Sequence, residues 1–289
     1  MIVQKNRHLE AAIAILGSKS RAKSMLRTLE NRIPGSFQFL CPEHGPRDYA
    51  ILLLHNEGET ATCLVSPPER PTEVLPISEL VQLGMAELQE RKTKLAQTIM
   101  AVDDRLLAQT FEQAGFHSLA VLTYMERISK NYGPVSSSPE ITFESMDHLP
   151  DEVLQRVLQE TYVDSLDCPK IHGIRSIQDI IKGHRAQGEY EPSLWTIAMR
   201  NHKPVGVLLL SPAPSAQCME LIYLGSTSDA RGQGIGDAFM RLAVEQSATY
   251  GLSRIVLAVD VNNSHAIELY SRWNFHSTHQ RQTMIRKLY

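Results

Sequence analysis

A glycine-rich segment in the second half of the chain has the composition of an anion-binding loop. It reads Arg231-Gly232-Gln233-Gly234-Ile235-Gly236 and lies between an apolar run of strand length and a helical pattern ending at Gly251. Glycines let the backbone approach a phosphate closely, and N–H groups at the start of a helix point toward an anion. The segment lacks the Lys of a Walker A loop, and the spacing of its glycines does not fit the Rossmann fingerprint. We predict a phosphate-bearing ligand in this half of the chain.

A second segment downstream combines helix-capping and aromatic residues. The apolar run 254–259 predicts a strand, and it is followed by residues typical of turns and helix caps, namely Asp260, Asn262 and Asn263. One side of the short helix after them carries Ala266, Ile267, Leu269, Tyr270 and Trp273. Asn274 and Phe275 close this helix, and Asn is suited to that place because it adopts the left-handed conformation readily.

Together the two segments resemble the two signatures of the GNAT superfamily of N-acetyltransferases, with coverage of about residues 140–289. The first matches the acetyl-CoA loop Arg/Gln-x-x-Gly-x-Gly, and the second is similar to Asn-x-x-Ala-x-x-Leu-Tyr-x-x-x-Gly-Phe, with Asn274 replacing the Gly. The apolar patterns of this half give the element order β-α-α-β-β-β-α-β-α-β, which is that of the GNAT fold. The resemblance implies an α/β fold, with a central twisted mixed sheet flanked by helices, and acetyl-CoA as co-substrate with no metal.

The resemblance also implies roles for individual residues. In the family, acetyl-CoA lies where the fourth and fifth strands separate, and the backbone of the fourth strand pairs with the pantetheine arm. The cofactor-binding residues expected here are Leu224, Gly225, Ser226, Arg231, Gly232, Gln233, Gly234, Ile235, Gly236 and Asn263. Tyr270 is the expected acid, because a phenol (pKa about 10) can protonate a departing thiolate (pKa about 8.5) with some tuning. A packing role is the alternative for Tyr270.

The acceptor side of the site is less sharply indicated. Glu220 is the candidate general base, expected on the same side of its strand as Ile222 and Leu224; a solvated Glu220, a water chain or an amine deprotonated by solvent are the alternatives. The segment 162–173 should border the acceptor cleft. Its candidate substrate-binding residues for a cationic amine are Asp164, Asp167 and His172, although either Asp could be an ordinary loop residue. His184 and Arg185 are expected on a solvated helix face.

An internal repeat relates the two halves of the chain. The run 95–103 mirrors 255–260, and a Phe-His-Ser motif follows each after a short helical stretch, at residues 116–118 and 275–277. Such self-similarity predicts duplication, and chance similarity between two strand–helix–strand units is the alternative. We expect two tandem GNAT-like domains: a degenerate domain at 1–130, a linker at 131–140, and the catalytic domain at 141–289. This layout is similar to mycothiol synthase and other tandem GNAT proteins.

The first domain should have no CoA site. Phe111 stands where the second half has Tyr270, and therefore lacks the hydroxyl. The loop 66–71 contains Pro67, Pro68 and Pro71, which lack backbone N–H donors, and Glu69, which adds negative charge where a pyrophosphate would lie.

Composition limits the other classes of function. The net charge of −3, with 43% hydrophobic and 21% charged residues, argues against general attraction to nucleic acid or membranes. No apolar run approaches the roughly 20 residues of a membrane span, and the N-terminus does not resemble a secretory signal. The scattered cysteines (Cys41, Cys63, Cys168 and Cys218) suggest neither a zinc site nor disulfides, which favours the cytoplasm.

We therefore expect an acetyl-CoA-dependent N-acetyltransferase. The acetyl group would pass to a primary amine of a small molecule or a peptide by direct attack in a ternary complex. The alternative is a non-catalytic acyl-CoA-binding sensor or scaffold, and transfer of a longer acyl group is a third reading. The identity of the amine and the oligomeric state stay open at this point.

Overall fold

A computed structural model describes residues 1–31, 33, 35–46, 48–128 and 141–289. The chain divides into two compact units, one made of Met1–Ala120 and Arg281–Tyr289 and the other of Val121–Gln280. The first unit consists of two separate chain segments, because strands β5 and β11 each begin in one unit and end in the other. For this reason the boundaries of the two units differ from those of the predicted domains, 1–130 and 141–289. The predicted linker, 131–140, lies outside the described residues.

The first unit is a mixed sheet with helices on both faces. Its helices are α1 (His8–Leu16), α2 (Lys19–Glu30), α3 (Pro71–Glu90) and α4 (Arg105–Gln113). Its strands follow the order β1 (Phe37–Leu40), β2 (Ile51–Asn56), β3 (Thr60–Val65), β4 (Leu95–Ala101) and the second part of β11 (His276–Lys287). Strands β3 and β4 are parallel and the other neighbours are antiparallel. One apolar cluster joins α3 and α4 to the sheet, and another joins α1 and α2 to it.

The second unit repeats this architecture. Its helices are α5 (Asp151–Tyr162), α6 (Ile177–Arg185), α7 (Ile235–Thr249) and α8 (Ser264–Arg272). Its strands follow the order β5 (second part of His117–Ile128), β10 (Arg254–Asp260), β9 (Cys218–Ser226), β8 (Lys203–Ala213), β7 (Trp195–Arg200) and β6 (Thr142–Ser145). Helices α7 and α8 pack on one face of the sheet, and α5 and α6 pack on the other. The predicted element order and the mixed α/β fold class are confirmed.

The last strands of the two halves are exchanged in matching registers. Strand β10 pairs with β5, with Leu257 opposite Met125, and β4 pairs with β11, with Thr98 opposite Met284. The number of residues that separates the two Phe-His-Ser motifs also separates Thr98 from Leu257 and Met125 from Met284. The two pairings are therefore equivalent under the internal repeat, which is thus present in the structure as well as in the sequence.

An arginine on each exchanged strand binds the end of the last helix of the other half. The Nε of Arg127, which is buried, donates to the carbonyl of Trp273 at 2.9 Å, and Nη1 of Arg286 donates to the carbonyl of Ala114 at 2.6 Å. Trp273 and Ala114 are the C-cap residues of α8 and α4. Each guanidinium thus satisfies a carbonyl that its helix leaves without an internal donor. Within the described residues, no helix has both the length and the apolar character that a membrane span requires.

Candidate active site

Strands β9 and β10 separate after a short paired stretch. Their parallel pairing ends at Glu220 opposite Val256. Beyond this pair β9 continues to Ser226 and β10 to Asp260, and no further pairing joins these two described segments. The other edge of β9 stays paired with β8. The predicted cofactor-binding residues 224–226 therefore have one backbone edge available to an extended ligand.

The glycine-rich segment forms the turn that begins α7. Gly232 and Gly234 are left-handed, with φ of 73° and 82°, and Gly234 is the N-cap of the helix. Gly236 has an ordinary φ, but a Cβ there would lie 2.9 Å from Cδ2 of Leu269 on α8. The N–H groups of the first turn, beginning at Ile235, have no acceptor within the helix. The segment thus presents a row of backbone donors to an anion.

The Arg231 side chain has a different role from the one expected. Its guanidinium donates to the carbonyls of Thr161 (3.0 Å), Val163 (2.5 Å) and Asp164 (3.1 Å). Carbonyls at the C-terminus of a helix attract a cation, and these three lie at the end of α5. Arg231 therefore ties the loop to α5 instead of extending a free charge toward a pyrophosphate.

Two other predicted cofactor residues also make structural contacts. Nε2 of Gln233 donates to the carbonyl of Asp229 at 2.6 Å, which closes the turn before α7. Asn263 is the N-cap of α8, and its Oδ1 accepts the N–H of Ala266 at 3.3 Å. The side chains of Gln233 and Asn263 thus hold the loop and the helix in place.

Tyr270 projects from α8 into the interior of the second unit. Its ring packs on Phe275 with centroids 5.7 Å apart, and the residue is buried. Burial, with further contributions from Asp167 and Tyr223, raises the pKa of the Tyr270 phenol above its ordinary value. The phenol is therefore protonated at neutral pH and able to donate a proton or a hydrogen bond.

A β-bulge on β9 changes which side chains face α5 and α6. The pairing of β9 with β8 skips Ile222, since Leu221 lies opposite Leu210 and Tyr223 opposite Leu209. Tyr223 consequently packs in the cluster with α5 and α6, whereas Leu224 packs in the cluster with α7. The prediction that Leu224 shares a side with Glu220 was wrong, because a bulge reverses the alternation of the strand.

Glu220 lies where the separation of the strands begins. It is paired with Ser211 on β8 and with Val256 on β10. Its Oε2 lies 3.6 Å from the position that a Cβ of Gly188 would take. The carboxylate is thus close to the chain segment that follows α6.

The three predicted substrate-binding residues have different environments. Asp164 is exposed and left-handed, and only its carbonyl contacts Arg231. Asp167 is half-buried, and the backbone N–H of Asp260, the last residue of β10, stabilises the charged form of its carboxylate. The His172 ring packs against Tyr162 at 5.5 Å. Asp167 and His172 therefore lie close enough to interact electrostatically, whereas Asp164 lies at the surface.

His184 and Arg185 do not form the solvated face that was expected. The His184 ring lies 5.9 Å from that of Tyr223, and its Nε2 lies 3.5 Å from the Tyr162 hydroxyl. Burial, with a smaller effect of nearby positive charge, lowers the pKa of His184 to about 4. Arg185 donates to Asp151 at 2.6 Å. The strong amphipathic pattern of α6 did not reveal that its polar residues face α5 and β9.

A comparison with protein-family models matches residues 158–275 to the acetyltransferase (GNAT) family. Residues 158–275 form a GNAT acetyltransferase domain. The match begins in α5 and ends just after α8, so it contains the separated strands, the glycine loop and Tyr270.

One curated relative and two solved structures place the domain in context. A stretch of 71 residues is 35% identical to mycothiol acetyltransferase of Jonesia denitrificans, and it covers 25% of this chain but only 23% of that relative. The structural match to a GCN5-related N-acetyltransferase from Sphaerobacter thermophilus covers 98% of this chain and 91% of that protein's chain (TM-score 0.66, 18% identity). The match to a tandem GNAT protein from the clavulanic acid biosynthesis pathway covers 100% of this chain and 98% of that protein's chain (TM-score 0.56, 12% identity). At these identities the structural matches establish the tandem GNAT fold.

The first unit differs from the second at the turn that begins its long helix α3. Before α3, the backbone N–H groups of Glu69 and Arg70 both donate to Oε2 of Glu73, at 2.8 and 3.3 Å. Arg70 also pairs with Oε1 of Glu73 through its guanidinium at 2.8 Å. A carboxylate of the chain itself therefore occupies donors that a phosphate would need. The counterpart of Tyr270 is Phe111, which is fully buried against Phe116.

Sequence reasoning missed Tyr162, Tyr223 and His184, whose side chains meet between α5, α6 and β9. Tyr223 lies in an apolar strand run, and the other two lie on amphipathic helices, so each fits ordinary packing. The bulge in β9 turns Tyr223 toward α5 and α6, and no residue type in 219–226 indicates that a bulge is present.

Proposed function

We propose that the protein is an acetyl-CoA-dependent N-acetyltransferase that transfers an acetyl group to a primary amine by direct attack within a ternary complex. The observation that carries this proposal is the opening between β9 and β10, with the α7 turn following β9 and the buried Tyr270 on α8. An anion, a thioester and an attacking amine each find a suitable group there.

Binding of the cofactor would rest on backbone groups. The pyrophosphate would accept hydrogen bonds from the N–H groups of residues 232–236, and the pantetheine arm would pair with the free edge of residues 224–226. Gly232 and Gly234 supply the left-handed conformations that this turn requires.

Collapse of the tetrahedral intermediate breaks the C–S bond and produces a thiolate. A protonated phenol within reach of the sulfur stabilises this charge and can donate its proton. The raised pKa of Tyr270 keeps the phenol protonated over the whole neutral range, although it also makes Tyr270 a weaker acid than a free phenol. A hydrogen bond that strengthens as the sulfur becomes negative is the role that fits this balance.

Calorimetric titration of the full chain with acetyl-CoA and with CoA, followed by a thiol-release assay over a panel of amines, tests the proposal. The panel should include the amine acceptor of mycothiol acetyltransferase, the activity for which the curated relative is named. We expect binding at one site per chain, and thiol release with at least one amine. Binding without turnover on any amine would favour the acyl-CoA sensor, and absence of binding would refute both functions.

A further inference from the structure

The segment that follows α5 brings a carboxylate to the separated ends of β9 and β10. Asp167 lies in a tight turn, in which its N–H donates to Oγ of Ser165 at 3.1 Å and the next residue, Cys168, is left-handed with φ of 45°. Few non-glycine residues adopt that conformation, so the surrounding structure must hold it. The backbone N–H of Asp260, at the end of β10, stabilises the carboxylate from the other side.

The same carboxylate acts on the two phenols of the site. Asp167 raises the pKa of Tyr270 on α8 and also that of Tyr223 on β9, in each case after the larger effect of burial. Glu220 lies at the start of the strand separation, where it pairs with Ser211 and Val256, and its Oε2 lies near the Gly188 position after α6. Asp167 instead lies at the Asp260 end of β10 and is in electrostatic contact with the candidate acid.

We propose that Asp167, and not Glu220, is the general base that removes a proton from the acceptor ammonium group. The inference rests on the proposed acetyl transfer and deepens it, since it assigns the acceptor as an amine that arrives as a cation. A half-buried carboxylate attracts such a cation. Tyr162, Tyr223 and His172 interact with Asp167 electrostatically and pack on one another, and they supply aromatic faces for the cation.

The proton and electron balance of the step is complete. Asp167 takes one proton from the ammonium, and the amine lone pair forms the C–N bond at the thioester carbon while the carbonyl oxygen becomes negative. As this oxyanion collapses, the C–S bond breaks, and the sulfur takes a proton from Tyr270. The phenolate recovers a proton from the new amide nitrogen, and Asp167 releases its proton to solvent.

The environment of Asp167 raises the proton affinity of its carboxylate. Burial raises its pKa above the ordinary value, the charge of Asp260 raises it further, and the Asp260 N–H and His172 lower it. The other titratable groups that interact with Asp167 electrostatically are Cys168, Tyr162, Tyr223 and Tyr270, whose pKa values are all raised and which are neutral at pH 7. A carboxylate with a raised pKa binds a proton more readily, which is what a base for an ammonium needs.

The test compares Asp167→Asn with Glu220→Gln in the full chain, with the best amine from the panel. We expect Asp167→Asn to lower kcat at pH 7 by about 100-fold or more, as is usual for loss of a general base, with acetyl-CoA affinity changed less than threefold. Glu220→Gln should lower kcat less than fivefold. The deficit of Asp167→Asn should shrink as the pH approaches the pKa of the amine, because solvent then supplies the free base.

A purely structural role of Asp167 gives a different result. Burial of its charge costs stability once it ionises, so Asp167→Asn should not lower Tm at pH 7. A lower Tm with a pH-independent loss of kcat, or a loss confined to Glu220→Gln, would overturn the proposal. If Asp167→Asn does not fold, Asp167→Glu serves instead. An Asp167→Glu variant that retains activity, with a rate that rises with pH, supports the role of Asp167 as the base. Complete loss of activity in a normally folded Asp167→Glu variant refutes it. Wild-type protein that binds acetyl-CoA but never releases thiol would refute the transferase function itself.

Discussion

Replacement of Gly234 by Asp separates ligand binding from backbone strain, because the chain contains a matched control. Gly234 begins α7 with φ of 82°, and Gly251, just beyond the other end of the same helix, has φ of 71°. At both positions a Cβ would find no heavy atom within 4 Å. A side chain therefore costs the same kind of strain at both, about 1–2 kcal/mol for an L-residue and less for Asp.

The two positions differ in what an added charge would meet. A carboxylate at Gly234 would lie among the donors of the first turn of α7, about 5 Å from a bound phosphate. At an effective dielectric constant of about 20, two unit charges at that distance repel by about 3 kcal/mol. This corresponds to a loss of acetyl-CoA affinity of about 100-fold. Gly251→Asp adds the same charge at the far end of the helix, away from the turn.

Calorimetry with acetyl-CoA and thermal unfolding of both variants measure the two effects. We expect Tm to fall by no more than a few degrees in each variant, since about 1 kcal/mol shifts Tm by about 2–4 °C in chains of this size. Affinity should fall only in Gly234→Asp. Equal loss of affinity in both variants, or retention of affinity within threefold in Gly234→Asp, would show that the phosphate does not bind at the α7 turn.

Further substitutions address the acid, a buried histidine and the exchanged strands. Tyr270→Phe should lower kcat by about 10-fold or more with acetyl-CoA affinity unchanged, and a normal rate would remove Tyr270 as the acid. Because the pKa of His184 is lowered to about 4 in the folded protein, the unfolded chain binds more protons between pH 6.5 and 4, so stability falls as pH decreases through this range, by about 3 kcal/mol at most. In urea denaturation, the free energy of unfolding of His184→Gln should decrease much less over this pH range than that of the wild type. An unchanged pH dependence would contradict the lowered pKa of His184. Arg127→Met should lower the free energy of unfolding by about 1.5–3 kcal/mol through loss of its charged hydrogen bond to the end of α8. Arg286→Met is the matched variant for the equivalent bond of the first unit, and a destabilisation below 0.5 kcal/mol in both would refute a structural role for the pair.

Local signals in the sequence predicted the elements of the second unit and several backbone conformations. The turn glycines at 232 and 234 are left-handed, and Asn274 ends α8 with φ of 60°. Each of these features is decided by residues within one turn of the chain, so a sequence pattern can show it.

Tertiary contacts decided what the sequence did not show. The bulge at Ile222 depends on the pairing of β9 with β8, and the partners of Arg231 depend on where α5 ends. The exchange of β5 and β11 follows from which strand is adjacent to β4 and to β10, and a repeat in the sequence is compatible with either arrangement. Asp167 became a candidate base because an irregular segment reaches the end of β10, and no periodic pattern predicts the path of such a segment.

The exchange of strands also determines how the first unit should be tested for CoA binding. Because part of β11 completes its sheet, a fragment that ends near residue 130 lacks one strand and would not represent the unit. The full chain with Gly234→Asp is the better probe, since the second site is then expected to be about 100-fold weaker. Saturable heat with acetyl-CoA at an affinity near that of the wild type must then come from elsewhere. We expect none, because Glu73 occupies the donors before α3. Adding Glu73→Ala removes the acceptor and frees these donors, yet Pro67 and Pro68 still supply no N–H, so binding should remain absent. Binding that appears with the second substitution would mean that Glu73, and not loss of the loop backbone donors, keeps the first unit empty.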